Sequence, residues 1–159
     1  MYKPRVKICC IKNTQEAWTA INHGASVLGL VSHMPSGPGK SRTYREILIN
    51  LSSPIELHEI AEITKNCPPG ISTFLLTSCT TSSEIGKQIQ QCNPTTVQIC
   101  DYVTENVWKE LKSKFPYVPL VQVVHVTDAD QIPYAKLASK FVDGKTNFFL
   151  LETKKRKKK

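Results

Sequence analysis

No apolar run in this 159-residue sequence approaches the roughly 20 residues needed to span a bilayer. The opening also lacks the charged, apolar and small-residue segments of a secretory signal, so a membrane or secreted protein is not expected and the default compartment is the cytosol. No CxxC pair and no Cys/His zinc spacing occur among the six cysteines, Cys9, Cys10, Cys67, Cys79, Cys92 and Cys100. These lie in or beside apolar strand-like runs, which favours small buried hydrophobes over a disulfide framework or a structural metal. Neither GxGxxG nor GxxxxGK(S/T) is present. Gly37-Pro38-Gly39-Lys40-Ser41 lacks the upstream glycine and the spacing of a phosphate loop, which argues against a nucleotide-binding sheet.

Acidic charge is also scarce beside basic charge, with a formal net charge of +8, but the excess is local. Six of the 21 basic residues are Lys154, Lys155, Arg156, Lys157, Lys158 and Lys159, and without them 15 basic residues face 13 acidic ones. Such a run repels itself and forms a solvated tail over 154–159. It can bind phosphates without sequence preference, serve as a nuclear-import address, or have no selected role. The nearly neutral body makes nucleic acid an unexpected partner.

What the sequence does contain is a steady alternation of short β-rich runs and longer amphipathic stretches. The patterns predict strands over 6–10, 26–32, 71–77, 95–100, 119–126 and 148–152. Helices are predicted over 13–24, 54–66, 82–91, 104–114 and 129–140. Asn13 or Thr14 caps the first helix, Ala17, Trp18, Ala20 and Ile21 form its apolar face, and Gly24 ends it. Pro54 suits the first turn of the second helix. The near-continuous apolar run at 119–126 points to a strand buried on both faces, as in a parallel sheet.

This α/β pattern fits one domain over 1–153, with two architectures open. A doubly wound sheet needs helices on both faces and a switch in strand order. A (β/α) barrel needs helices on one side only and about 250 residues for eight units. In either, reactive side chains gather where strands end. Cys9, closing the opening run Arg5-Val6-Lys7-Ile8-Cys9-Cys10, is therefore the first candidate.

Lys7-Ile8-Cys9, Ile11-Lys12-Asn13, Glu16-Ala17, Gly24-Ala25 and Leu28-Gly29-Leu30-Val31 resemble the opening of the phosphoribosylanthranilate isomerase family. The resemblance continues through Thr96-Val97-Gln98-Ile99, Val121-Gln122-Val123-Val124 and Leu150-Leu151-Glu152. It implies a TIM-type (β/α) barrel, of which about six of eight units are present. It also implies an isomerase of tryptophan biosynthesis, acting on a phosphorylated sugar–anthranilate substrate without metal or cofactor. The reaction is an Amadori rearrangement, in which an acid opens the ribose ring and a base takes the C2 proton. By this resemblance Cys9 holds the base position and Glu152 that of the acid, where the family has Asp. Lys7, Gln98 and Arg42 are the substrate-binding candidates. Lys7 shares the strand face of Cys9 and can supply the charge that lowers a thiol pKa. The alternatives are an inert buried thiol at Cys9 and a solvated carboxylate at Glu152.

The sequence departs from the family at several points. Cys10 stands where Gly is usual, Cys100 where His is common and Asp101 where Gly is common. The segment 32–39 lacks the Arg that pairs with the anthranilate carboxylate, leaving Arg42 or Arg45 as substitutes, and His33 is a further candidate at the mouth. Phosphate-using barrels commonly hold phosphate with loops after strands seven and eight, which have no counterpart in the pattern here. The expectation is therefore an incomplete barrel with unpaired edges at its first and sixth strands, open to self-association. A non-catalytic partial barrel or interaction protein is the alternative function.

Overall fold

The computed structural model describes residues 4–33, 54–126 and 147–153. Within them six parallel strands are hydrogen-bonded in chain order. These are β1 (Lys7–Cys9), β2 (Val27–Val31), β3 (Ser72–Thr77), β4 (Thr96–Ile99), β5 (Leu120–Val126) and β6 (Asn147–Thr153). The described helices are α1 (Thr14–Asn22), α2 (Leu57–Asn66), α3 (Ser82–Cys92) and α4 (Glu105–Lys114). The expected helix over 129–140, the segment 40–53 with Arg42 and Arg45, residues 145–146 and the basic tail lie outside the described residues.

Two apolar clusters decide between the architectures that the sequence left open. Leu28, Leu30, Leu75, Val97, Ile99 and Leu120 from the strands pack with Ala17, Ile60, Ile63, Ile85, Ile89, Trp108 and Leu111 from all four helices. A second cluster, Val31, Leu76, Cys100 and Val123 with Phe74 and Leu150 against it, contains no helical residue. Adjacent residues such as Leu75 and Leu76 fall in different clusters, as the two-residue period of a strand requires. The described helices therefore cover one face, and the other face packs on itself. With unswitched strand order, this is the TIM-type arrangement rather than a doubly wound sheet. Among the described residues the sheet is open, with β1 and β6 at its edges.

Local chemistry explains most boundaries. The Asn13 side chain accepts the Glu16 N–H at 2.8 Å and caps α1. Thr81 does the same for α3 through the Glu84 N–H, and Asn93 closes that helix at φ 45°. Two expectations need correction. Trp18 is 43% exposed rather than on the buried face of α1, because α1 sits at the β1 edge and only Ala17, Ala20 and Ile21 turn towards the core. Pro54 does not open α2. Ile55 is drawn into a parallel bridge with Ser32, its N–H donating to the Val31 carbonyl, so the helix begins after Glu56. The Glu59 carboxylate then accepts the Glu56 N–H at 2.8 Å.

The cysteines are all free thiols. Cys79, Cys92 and Cys100 are buried, whereas Cys10 and Cys67 are half-buried and Cys9 is exposed. Burial pushes the Cys92 thiol up to about 11 and that of Cys67 in the same direction.

Two outcomes follow from this packing. Leu75→Ala empties a fully buried site and should lower unfolding stability by about 2–5 kcal/mol, read as a lower urea midpoint at unchanged slope. A loss under about 1 kcal/mol would contradict the packing described. Because the folded pKa of Cys92 lies above its ordinary 9.0, the unfolded chain ionises first as pH rises. Stability should hold below pH 9 and fall towards pH 11, with the fall reduced in Cys92→Ala.

Candidate active site

The inner face of the sheet, opposite the described helices, carries Lys7, Cys9 and Gln98. Cys9 closes β1 and pairs with Gly29 of β2, which in turn pairs with Phe74 of β3. A Cβ at Gly29 would lie 2.9 Å from Cys9 Sγ and 3.0 Å from Cys9 Cα. Only glycine leaves room for the thiol over β2, so Gly29 fixes where Cys9 can sit. Cys9 is exposed rather than buried.

Two residues before Cys9, Lys7 reaches across the inner face. Its Nζ donates to Gln98 Oε1 on β4 at 2.6 Å and stands 5.2 Å from the centroid of the Phe74 ring. The Gln98 amide nitrogen points to Cys100 Sγ at 3.9 Å, leaving its oxygen for Lys7. Two of the expected binding residues, 91 positions apart, are thus joined directly beside the expected base. Register sets Glu152 opposite His125 at the end of β6. Arg42 lies outside the described residues. His33 pairs with Glu56 at 2.9 Å, both side chains being more than half exposed.

Cys10 adopts φ 66°, the left-handed region that favours glycine. The backbone turns there as though for glycine, and the side chain packs beside Val31, Leu76, Cys100 and Val123.

Sequence reasoning missed two residues. Ser78, just past β3, is 3% exposed, and its hydroxyl has no hydrogen-bond partner among the described residues. A buried unpaired hydroxyl at a strand end is a group that a ligand can satisfy. Its only sequence signal is the polar stretch Thr77 to Ser82 after an apolar run. The Gln122 amide donates to the carbonyls of Ile99 and Asp101, each at 3.1 Å, and so fixes the turn after β4. A groove of about 710 Å³ also runs along β1 and α1, walled by Val6, Ile8, Ala20 and Ala25. It marks the open sheet edge; Cys9 and Cys10 lie on its wall, and Lys7 and Gln98 do not.

No family model matches the chain. It is 28% identical over 149 residues to "N-(5'-phosphoribosyl)anthranilate isomerase 2" of Methanosarcina mazei. That match covers 94% of this chain and 58% of the relative. The isomerase of Methanocella arvoryzae is 23% identical, with 94% and 62% covered. The chain therefore spans about three fifths of the length of these curated relatives. The phosphoribosylanthranilate isomerase of Thermotoga maritima superposes with a TM-score of 0.72 at 19% identity, over 97% of this chain and 63% of that one. A phosphoribosylanthranilate isomerase crystallised with reduced 1-(o-carboxyphenylamino)-1-deoxyribulose 5-phosphate gives 0.69 at 18%, over 94% and 64%. Over nearly its whole described length the chain is similar to phosphoribosylanthranilate isomerases. Against the family pattern, Cys10 is the departure whose geometry is plainest. Cys10→Gly should relieve left-handed strain and raise unfolding stability by about 1 kcal/mol, less the packing its side chain provides, in a denaturant titration. A destabilised glycine variant would show that packing outweighs strain.

Proposed function

We propose that the chain catalyses the Amadori rearrangement of N-(5-phosphoribosyl)anthranilate to 1-(2-carboxyphenylamino)-1-deoxyribulose 5-phosphate, with Cys9 as general base and Glu152 as general acid. The observation that carries this reading is the exposed thiol at the end of β1, set over Gly29 beside the Lys7–Gln98 pair. The similarity to phosphoribosylanthranilate isomerases supports the choice of reaction.

Glu152 donates a proton to the ribose ring oxygen as the C1–O bond breaks, giving an open imine. The Cys9 thiolate then removes the C2 proton, leaving an enolamine that tautomerises to the ketose. C1 gains the hydrogen that C2 loses, so the oxidation-state change is internal and no external oxidant or reductant enters. Glu in place of Asp adds one methylene, which the site must accommodate for the proton to reach the ring oxygen. The substrate is a small phosphorylated sugar–anthranilate, and the setting of such a biosynthetic step is the cytoplasm.

A second reading, a non-catalytic protein that associates through its sheet edge, is favoured by Val6 and Ile8, which are 42% and 40% exposed along β1. Turnover of phosphoribosylanthranilate by the purified chain separates the two. Isomerase activity that falls by about 10²–10⁴-fold in Cys9→Ala is expected. Activity equal in the two proteins removes Cys9 from the chemistry. A chain that neither turns over the substrate nor binds its reduced product analogue leaves only the second reading.

A further inference from the structure

We propose that Cys9 and Cys10 form a vicinal dithiol site that captures a thiophilic metalloid of the trivalent arsenical class on both sulfurs together. The site goes beyond the isomerase reading and does not rest on it, since it requires only two adjacent thiols on one side of the chain.

Neighbouring residues of a strand point to opposite faces, so a Cys-Cys pair inside β1 would hold its sulfurs apart. Here the strand ends at Cys9 and the backbone turns at Cys10, whose φ is 66°. Cys9 Sγ lies over Gly29, which is in ladder register with Phe74, and Phe74 packs against the inner cluster. Cys10 packs against that same cluster. The left-handed turn thus brings both side chains to the inner side of β1. Cysteine is a strained occupant of such a turn, which glycine fills freely.

Access singles out the same pair. Of the six free thiols, Cys79, Cys92 and Cys100 are buried, and burial pushes the Cys67 thiol up, away from the reactive thiolate. Cys9 is exposed, Cys10 is half-buried, and both border the groove of about 710 Å³ along β1. A small solute therefore reaches these two residues without opening the core.

Spacing decides what the pair takes. The chain has no cis peptide among the described residues, and neighbouring Cα atoms across a trans bond are about 3.8 Å apart. That is shorter than the roughly 4.4–6.8 Å usual for a disulfide, so direct oxidation of the pair to a disulfide is strained. A bridging atom relaxes the strain. Two sulfurs each about 2.3 Å from one centre stand further apart than the about 2.05 Å of an S–S bond. Zinc would need four ligands, and among the described residues no group of three or more His, Cys, Asp or Glu side chains is placed to hold a metal ion. A trivalent arsenical asks for only two sulfurs. With phenylarsine oxide both S–H bonds break, two As–S bonds form, and the arsenic oxygen leaves as water with the two thiol hydrogens. Arsenic stays trivalent, and no oxidant or reductant enters. The second sulfur adds within the same molecule, so the chelate outlasts any adduct on one thiol.

The full chain, reduced and then freed of reductant, is treated with one equivalent of phenylarsine oxide and followed by intact mass and by the count of reactive thiols in the folded state. One phenylarsenic group should add per chain and two thiols should disappear. The adduct should survive excess monothiol and be removed by a dithiol. Cys10→Gly, which suits the left-handed turn, and Cys9→Ser should each weaken retention in monothiol at least about a hundredfold. Cys67→Ser should leave it unchanged. The proposal is overturned if the parent chain gives no monothiol-resistant adduct or if Cys10→Gly retains it. Peptide mapping that places arsenic on Cys67, or across Cys10 and Cys100, also overturns it. An adduct formed by a chain without isomerase turnover upholds this site and counts against the proposed function alone.

Discussion

Leu28, Leu30, Leu75, Val97, Ile99 and Leu120 form an apolar layer that the four described helices cover from one side. That one-sided cover is the constraint on which the remainder depends. Every second strand residue is committed to the helices, so its neighbours must face the other way and pack among themselves. Parallel strands in unswitched order then have their C-terminal ends together at one rim. The polar side chains Lys7 and Gln98 are accommodated on the inner face because they meet one another there.

The Lys7–Gln98 contact shows how this works. Lys7 comes from the first strand and Gln98 from the fourth, and the two strands between them contribute Gly29 and Phe74. Gly29 gives up its side chain for the Cys9 thiol, and Phe74 offers its ring to the Lys7 charge. Each residue type is intelligible only through a neighbour on another strand. The strained turn at Cys10 follows the same economy, since the backbone keeps its left-handed turn while the side chain joins the inner cluster.

Much of the fold was legible in the sequence because strand and helix periods are local. The element order and the cap at Asn13 depend on residues only a few positions apart. Which side the helices occupy was not legible, since apolar strands carry no label for their two faces. Trp18 was misread for a related reason: its period is helical, but its neighbour across the sheet edge is not a local property. Pro54 was misread because the bridge between Ile55 and Ser32 is made across 23 positions of chain. At the site, Cys9, Lys7 and Gln98 were picked out through the family resemblance, whereas their mutual geometry came only with the fold. Ser78 had no residue pattern to mark it, because burial without a partner is a property of packing.

The central proposal is that ligand binds on the inner face at Lys7 and Gln98, beside Cys9, and not along the α1 wall of the groove that Cys9 also borders. Backbone and side-chain NMR of the chain titrated with reduced 1-(o-carboxyphenylamino)-1-deoxyribulose 5-phosphate tests it most directly. The account predicts the largest shifts at Lys7, Gln98 and Phe74, with Thr19 and Ala20 unmoved. Shifts concentrated at Thr19, Ala20 and Val6, with Lys7 and Gln98 unchanged, would contradict it.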